Sequence, residues 1–202
     1  GVALNGVANY RILKESSFDD VHIPPSPGDA GSAVGCAQYL YHVIHKNKRI
    51  LNGEYSKMIK ENIYVGPSYS NEEIQNFLNS ENITFEELDN EKLLSTTAHL
   101  ISDGKIVGWY QGKMEWGPRA LGCRSILADP RKAEMKDILN EKIKHRESFR
   151  PFAPSILEEH VHDYFEIDRS SPYMLMVTLV KKPLLIPAVT HVDGTGRLQT
   201  VN

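Results

Sequence analysis

The apolar positions of this chain change their spacing along its length, and the changes mark its elements. From Ala30 to His45, Val34, Ala37, Leu40, Tyr41 and Ile44 recur at helical intervals. Asp29 stands at the start of this helix, where a carboxylate caps the helix or holds a cation, and Pro24, Pro25, Pro27 and Gly28 mark a loop before it. Residues 49–65 are polar without a period and read as a linker. Ser70 with Glu73 forms a capping-box pair that opens a short helix over NEEIQNFLN. A longer helix over 91–102 carries Leu93, Leu94, Thr97, Ala98, Leu100 and Ile101 on the side predicted to be buried, and Gly104 is its stop signal.

The period then shortens. KIVGWYQ, residues 105–111, predicts a strand. Asp129-Pro130 predicts another helix, with Asp as its cap, Pro in its first turn, and Met135, Ile138, Leu139 and Ile143 as its apolar face. That helix delivers Lys144 and Arg146 at its end. YMLMVTLV, residues 173–180, is almost continuously apolar, as in a strand covered on both faces, and 186–190 predicts one more strand. Helices and strands alternate, so the class is α/β or α+β. The predicted organisation is a first piece over 1–48, the linker over 49–65, and a main domain over 66–202.

Composition narrows the class without naming a function. The chain has 202 residues, 41% hydrophobic and 24% charged, which is ordinary for a globular protein. The net charge of −3 makes any basic cluster local and argues against a non-specific nucleic-acid binder. No apolar run is long enough to span a bilayer and no signal peptide is visible, so no membrane role is expected. Cys36 and Cys123 lie far apart and outside any CxxC pattern, which predicts free thiols in a reducing, cytoplasmic setting. The chain opens at Gly1 inside a turn-like GVALNGVAN and stops at Asn202, and reads as a piece of a longer protein.

The chemistry concentrates between Lys113 and Arg150. Lys113, Arg119, Arg124, Arg131, Lys144, Arg146 and Arg150 are interleaved with Gly, Pro and aromatics rather than laid along one solvated face. A guanidinium donates two parallel hydrogen bonds, which suits phosphate or carboxylate. In GKMEWGPRALGCR, Gly117, Pro118 and Gly122 surround Arg119 and Arg124, so backbone N–H groups can approach an oxyanion beside two cations. Trp109, Tyr110 and Trp116 are predicted to wall the site and lower its dielectric. In KHRESFRP, Lys144 and Arg146 also fit the structural preference of a helix C-terminus for cations, whereas Arg150, between Phe149 and Pro151, reads as an anion ligand.

HVDGTGR offers His191 as a proton donor or anion ligand beside Arg197, or else a turn that merely reverses the chain. His42, His45, His99, His160 and His162 form no constellation. There is no recognisable Ser-His-Asp context, no GxxxxGK[ST] and no GxGxxG. An enzyme of this kind would work electrostatically, by clamping a phosphorylated substrate and offsetting developing charge.

Taken together, five segments resemble the carbamoyltransferases, the enzymes of nodulation-factor, cephamycin and aminoglycoside carbamoylation. They are GVALNGVANYR at 1–11, PPSPGDAGSAVGCA at 24–37, GWYQGKMEWGPRALGCRSILADPR at 108–131, FRPFAPSILEEH at 149–160 and THVDGTGRLQTV at 190–201. The resemblance implies two modules: the end of a Kae1-like, actin-like ATPase domain, then a YrdC-like twisted sheet with helices and a basic concave face. It implies that Gly1, Val2 and Asn5 are the remains of a turn lining an adenine nucleotide, and that Asp29 is a ligand to a divalent metal, iron being the expectation. The histidines that would complete that metal site have no counterpart here. Lys144, Arg146 and the Arg150-Pro151 pair resemble the YrdC-like cation pattern, although the Ser-x-Asn segment of that group is missing.

The implied reaction has two stages. Carbamoyl phosphate and ATP give carbamoyl adenylate in the YrdC-like module. An acceptor hydroxyl then takes the carbamoyl group in the Kae1-like module. Arg119, Arg124, Lys144, Arg146, Arg150 and Arg197 are the expected ligands of carbamoyl phosphate and nucleotide, with His191 and Arg150 as catalytic candidates. Two other readings stay open: a phosphate- or nucleotide-binding module without turnover, and a relative acting in threonylcarbamoyl or hydrogenase-maturation chemistry.

Overall fold

The computed structural model describes residues 1–49 and 63–202. Most of the predicted linker therefore lies outside the described residues. The chain opens with helix α1 (Gly6–Glu15), capped by the Asn5 side chain, which accepts from the Ala8 N–H at 3.1 Å. Helix α2 (Asp29–Tyr39) follows and runs on through a π-type segment at Leu40–Ile44. Helices α3 (Asn71–Ser80) and α4 (Asn90–Ser102) come next. The capping box predicted for α3 is present in both directions, Ser70 to the Glu73 N–H and Glu73 to the Ser70 N–H.

Strands β1 (Val107–Tyr110) and β2 (Arg124–Leu127) form an antiparallel pair joined by the loop that carries the first arginine motif. Helix α5 (Met135–Ile138) runs into a π-type segment at Leu139–Lys144. Strand β3 (Ser155–Leu157) pairs in parallel with β6 (Gln199–Val201), and β4 (Val177–Leu179) pairs antiparallel with β5 (Thr195–Arg197). A short helix, α6 (Val161–Tyr164), lies between β3 and β4. The mixed helix-and-sheet class is borne out as α+β, with its described strands in three two-stranded ladders.

The ladders of β3 and β4 are tied together by one stretch of chain, because β5 and β6 are consecutive and flank Leu198. Leu198 is fully buried and packs with Val161, Phe165, Ile167, Met176, Val180, Ile186 and Val189 in the main core. Alternation along an extended chain sends Arg197 and Gln199 to the opposite side. Gly196 is a glycine for lack of room: a Cβ there would lie 3.1 Å from both the Phe165 ring and Val180.

Four expected elements differ, each for a physical reason. The helix expected from Asp129 begins only at Met135: the Asp129 carboxylate does accept from the Arg131 N–H, as a cap would, but it is also taken up by the Arg131 guanidinium, and turns rather than helix follow up to 134. The strand expected over 173–180 is reduced to Val177–Leu179, since Met174 adopts a left-handed backbone (φ +55°) and the Leu175 carbonyl is taken by Asn9. The strand expected over 186–190 is a 3-10 turn, Pro187–Val189, started by a proline that has no N–H to offer a ladder. Helix α4 has the predicted span, but Leu94, Ala98 and Leu100 are exposed and Thr97 is its buried residue. Likewise Val34, Leu40, Tyr41 and Ile44 of the α2 segment are exposed rather than packed.

The amino-terminal segment is built into the body. The buried Asn9 amide donates to the carbonyls of Ala3 and Leu175, both at 2.9 Å, and Tyr10 donates to the Glu166 carbonyl. Gly6 lies so close to β4 that an added Cβ would sit 2.9 Å from Val177. Leaving two carbonyls without their donor costs about 2 kcal/mol. Asn9→Ala is therefore expected to lower the urea unfolding free energy by that amount, and an unchanged midpoint would show that α1 contributes no such clamp.

Candidate functional site

Glu115 is the one acid in the first arginine motif, and its side chain is completely shielded from solvent. Its Oε1 accepts from the backbone N–H groups of Leu121 at 2.7 Å and Cys123 at 2.6 Å. Its Oε2 lies 3.4 Å from Arg124 Nε. Arg124 in turn donates to the Gly117 carbonyl at 3.0 Å. The loop between β1 and β2 is thus wrapped around an internal ion pair. Gly117 and Gly122 make the wrap possible with φ of +123° and +116°, where a side chain would be strained. Arg124 belongs to this scaffold, its charge balanced by Glu115.

Beside the loop lies a cavity of about 540 Å³. Its lining brings together Arg119, Arg124, Lys144, Arg146 and Arg197 with Ser155 and Gln199. Met135, Leu139, Phe152, Ala188 and Val189 supply an apolar wall. The aromatic wall is therefore Phe152; Trp109, Tyr110 and Trp116, expected in that role, do not line the cavity. Gln199 braces two sides of the chamber, donating to the Leu121 carbonyl at 3.0 Å and accepting from Ser155 Oγ at 3.1 Å.

Three guanidiniums in this cavity have no carboxylate among the described residues. Nε of Arg119 and of Arg197 are buried without a hydrogen-bond partner. Burial pushes the Arg197 guanidinium down to about 10, and the charges of Arg119 and Arg146 add to that push. Arg119 is lowered by burial, and Arg146 by burial and then by the charge of Arg150, against a smaller opposing pull from Glu147. Like charges held together out of water are an unfavourable arrangement that an entering anion reverses. Lys144 stands at the exposed rim.

Other expected site residues lie elsewhere. Arg150 does not line the cavity; it is exposed and paired with Glu147 at 2.8 Å. Arg131 is spent on the buried carboxylate of Asp129, which it holds below the usual carboxylate range. The Gly1 amino group donates to the Pro27 carbonyl at 2.9 Å, and Asn5 caps α1, so both serve the local fold. Asp29 is exposed in the first turn of α2, where Gly28 is the cap residue. No group of three His, Cys, Asp or Glu side chains able to hold a metal occurs among the described residues, so Asp29 has no partners for that chemistry there.

His191 sits behind this face in a hydrogen-bonded turn and does not line the cavity. The Thr195 hydroxyl donates to Asp193 at 2.7 Å, so it accepts from His191 Nδ1 at 2.9 Å. That chain fixes the proton on Nδ1 and leaves Nε2 as a buried lone pair. Burial lowers the imidazole below its ordinary value, an effect opposed by Asp193 and reinforced by Arg197. Sequence reasoning passed over Glu115, Asn140, Ser155 and Gln199, which hold the cavity in shape. A lone acid in a basic motif and a lone amide on an apolar helix face were the signals for the first two.

Two family models match the chain: Carbamoyltransferase N-terminus over residues 1–38 and Carbamoyltransferase C-terminus over residues 98–202. It is 43% identical, over its whole length and 36% of the relative's, to the uncharacterized protein sll1178 of Synechocystis sp.. It is 40% identical to nodulation protein NolO of Bradyrhizobium diazoefficiens, over its whole length and 37% of the relative's. For nodulation protein U of Rhizobium fredii the identity is 36%, again over the whole chain and 32% of the relative. The chain spans about a third of the length of the curated relatives it matches.

Two measurements test the electrostatic description. Removing one partner of a buried ion pair costs roughly 3 kcal/mol, so Glu115→Gln is expected to lower the urea unfolding free energy by about that amount. A loss close to zero would mean that the loop is held by other contacts. For His191, the unfolded chain takes up a proton below about pH 6.5 that the folded imidazole refuses, so stability falls as pH drops through that value and below. His191→Gln should flatten that part of the profile in urea melts at pH 7.5 and 5.5. Identical slopes in variant and parent would contradict the buried, neutral imidazole.

Proposed function

The chain belongs to the carbamoyltransferase family, and from that premise we propose that its arginine-lined cavity binds carbamoyl phosphate together with ATP. The observation that carries the reading is the convergence of Arg119, Arg146 and Arg197 on one chamber, with no ion pair to a carboxylate for any of the three among the described residues and Nε of Arg119 and Arg197 buried without a partner. The cavity volume of about 540 Å³ falls in the range of small-molecule sites. Its two halves differ in character: the guanidiniums suit phosphoryl oxygens, and the wall of Phe152, Leu139 and Val189 suits a flat, weakly polar group such as a nucleobase.

In this reading the guanidiniums do the main work. Two polyanionic substrates repel one another, and three fixed cations offset that repulsion when both are bound. The first stage, balanced in atoms, takes carbamoyl phosphate, ATP and one water to carbamoyl adenylate, phosphate and pyrophosphate. Charge builds on the departing phosphoryl groups, and preorganised donors in a partly dry site stabilise it. Carbamoyl transfer to an acceptor hydroxyl is the second stage.

Calorimetry with carbamoyl phosphate, paired with a test for carbamoyl phosphate-dependent pyrophosphate release from ATP, examines the proposal. The parent chain is expected to bind carbamoyl phosphate, and Arg197→Gln or Arg119→Gln to weaken binding by about tenfold or more, as loss of a charge-assisted contact does. Without ligand, Arg197→Gln should be no less stable than the parent, because it removes a buried repulsion. Binding without pyrophosphate release would favour a phosphate-binding module. Absence of binding in a folded sample would end the anion-site reading.

A further inference from the structure

Asn140 is a polar residue inside an apolar helix face, and only 1% of it is exposed. Every polar atom of its side chain is engaged. Oδ1 accepts from Arg146 Nε at 2.7 Å, while Nδ2 donates to the carbonyls of Arg150 at 2.9 Å and Ser148 at 3.3 Å. Its own carbonyl accepts the Arg146 N–H at 3.0 Å, across the left-handed turn at His145 (φ +47°). The amide has one sensible orientation: turned over, it would set a donor against Arg146 Nε and an acceptor against two carbonyls.

The consequence falls on the Arg146 guanidinium. Its Nε is committed to Asn140, and its Cζ lies over the Phe152 ring, 4.7 Å from the ring centre. A guanidinium held along one edge and over an aromatic face keeps its remaining N–H groups for the cavity that Arg146 lines. The π-type segment at Leu139–Lys144 widens the helix end and brings Asn140 opposite the loop that follows it. We infer that Asn140 is a positioning residue for the anion site: it aims the Arg146 fork and ties down the 145–150 loop that carries it. The inference rests on the reading of the cavity as an anion site.

A double-mutant cycle with inorganic pyrophosphate, read by calorimetry, separates aiming from simple stabilisation. Asn140→Ala should weaken pyrophosphate binding about tenfold in the parent and less than twofold in an Arg146→Gln background. An equal loss in both backgrounds, or none in the parent, overturns the positioning role. If Arg197→Gln abolishes binding while Asn140→Ala leaves it intact, the anion site stands and this inference falls. A further measurement needs neither variant nor ligand. In the parent chain the Arg146 Nε–H resonance should exchange slowly with water at pH 8, and exchange as fast as in an unstructured peptide would show that the Asn140 clamp does not exist.

Discussion

A carboxylate sealed from water shapes the loop that brings Arg119 and Arg124 to the cavity. Glu115 gathers two short backbone hydrogen bonds and the Arg124 guanidinium around itself. Oε1 is satisfied by backbone N–H groups, while Oε2 has only the Arg124 charge at 3.4 Å and no hydrogen bond of its own, so the charge depends on that pairing. The loop from Gly112 to Cys123 has no regular structure of its own. It has a definite shape because it must satisfy this one side chain. Arg119 is carried by the same loop, so its approach to Arg197 follows from an interaction in which it takes no part.

The cavity is the opposite case. There, charges of one sign are brought together without their complements. Arg197 shows the cost most directly, since its guanidinium is displaced to about 10 by burial and by its neighbours. The fold absorbs that cost by fixing the cations on well-anchored chain. Arg197 stands beside the fully buried Leu198, on the strand stretch that links two ladders. Arg146 is gripped by Asn140, and Arg119 by the Glu115 loop. An arrangement kept under internal repulsion, on three independently braced supports, is what electrostatic preorganisation for a polyanion requires.

Much of this was legible from residue types. Guanidiniums interleaved with glycine and proline between Lys113 and Arg150 do not form a solvated helix face, which singled out that stretch; Arg119, Arg124 and Arg146 of it line the cavity, and Arg197 joins them from the HVDGTGR segment, whose role its sequence left open. Arg150 was misplaced because sequence proximity to Phe149 and Pro151 cannot show that Glu147, three residues earlier, is its partner. Asp129 makes the cap-type bond to the Arg131 N–H that its residue type predicts, yet the helix starts only at Met135. The capping box at Ser70 and the helix over 90–102 were readable because they rest on local hydrogen bonds. The strand predicted over 173–180 is shorter because Met174 is left-handed and Asn9, 166 residues away in sequence, takes the Leu175 carbonyl, a contact that no local pattern reveals.

The same distant contact ties the two family-matched stretches to one another. Asn9 belongs to the segment matched as a carbamoyltransferase amino terminus, and Leu175 to the segment matched as the carboxyl terminus. Met174, next to Leu175, lines the cavity. Pro25 and Ser26 of the first segment approach Gly117 of the arginine loop, with the Pro25 carbonyl 3.3 Å from where a Cβ would stand. The amino-terminal stretch therefore meets the chain beside the cavity wall at two points, Leu175 next to Met174 and Gly117 next to Pro118. Both family-matched stretches thus contribute contacts beside the same cavity, and the position of α1 is one of the constraints on its wall.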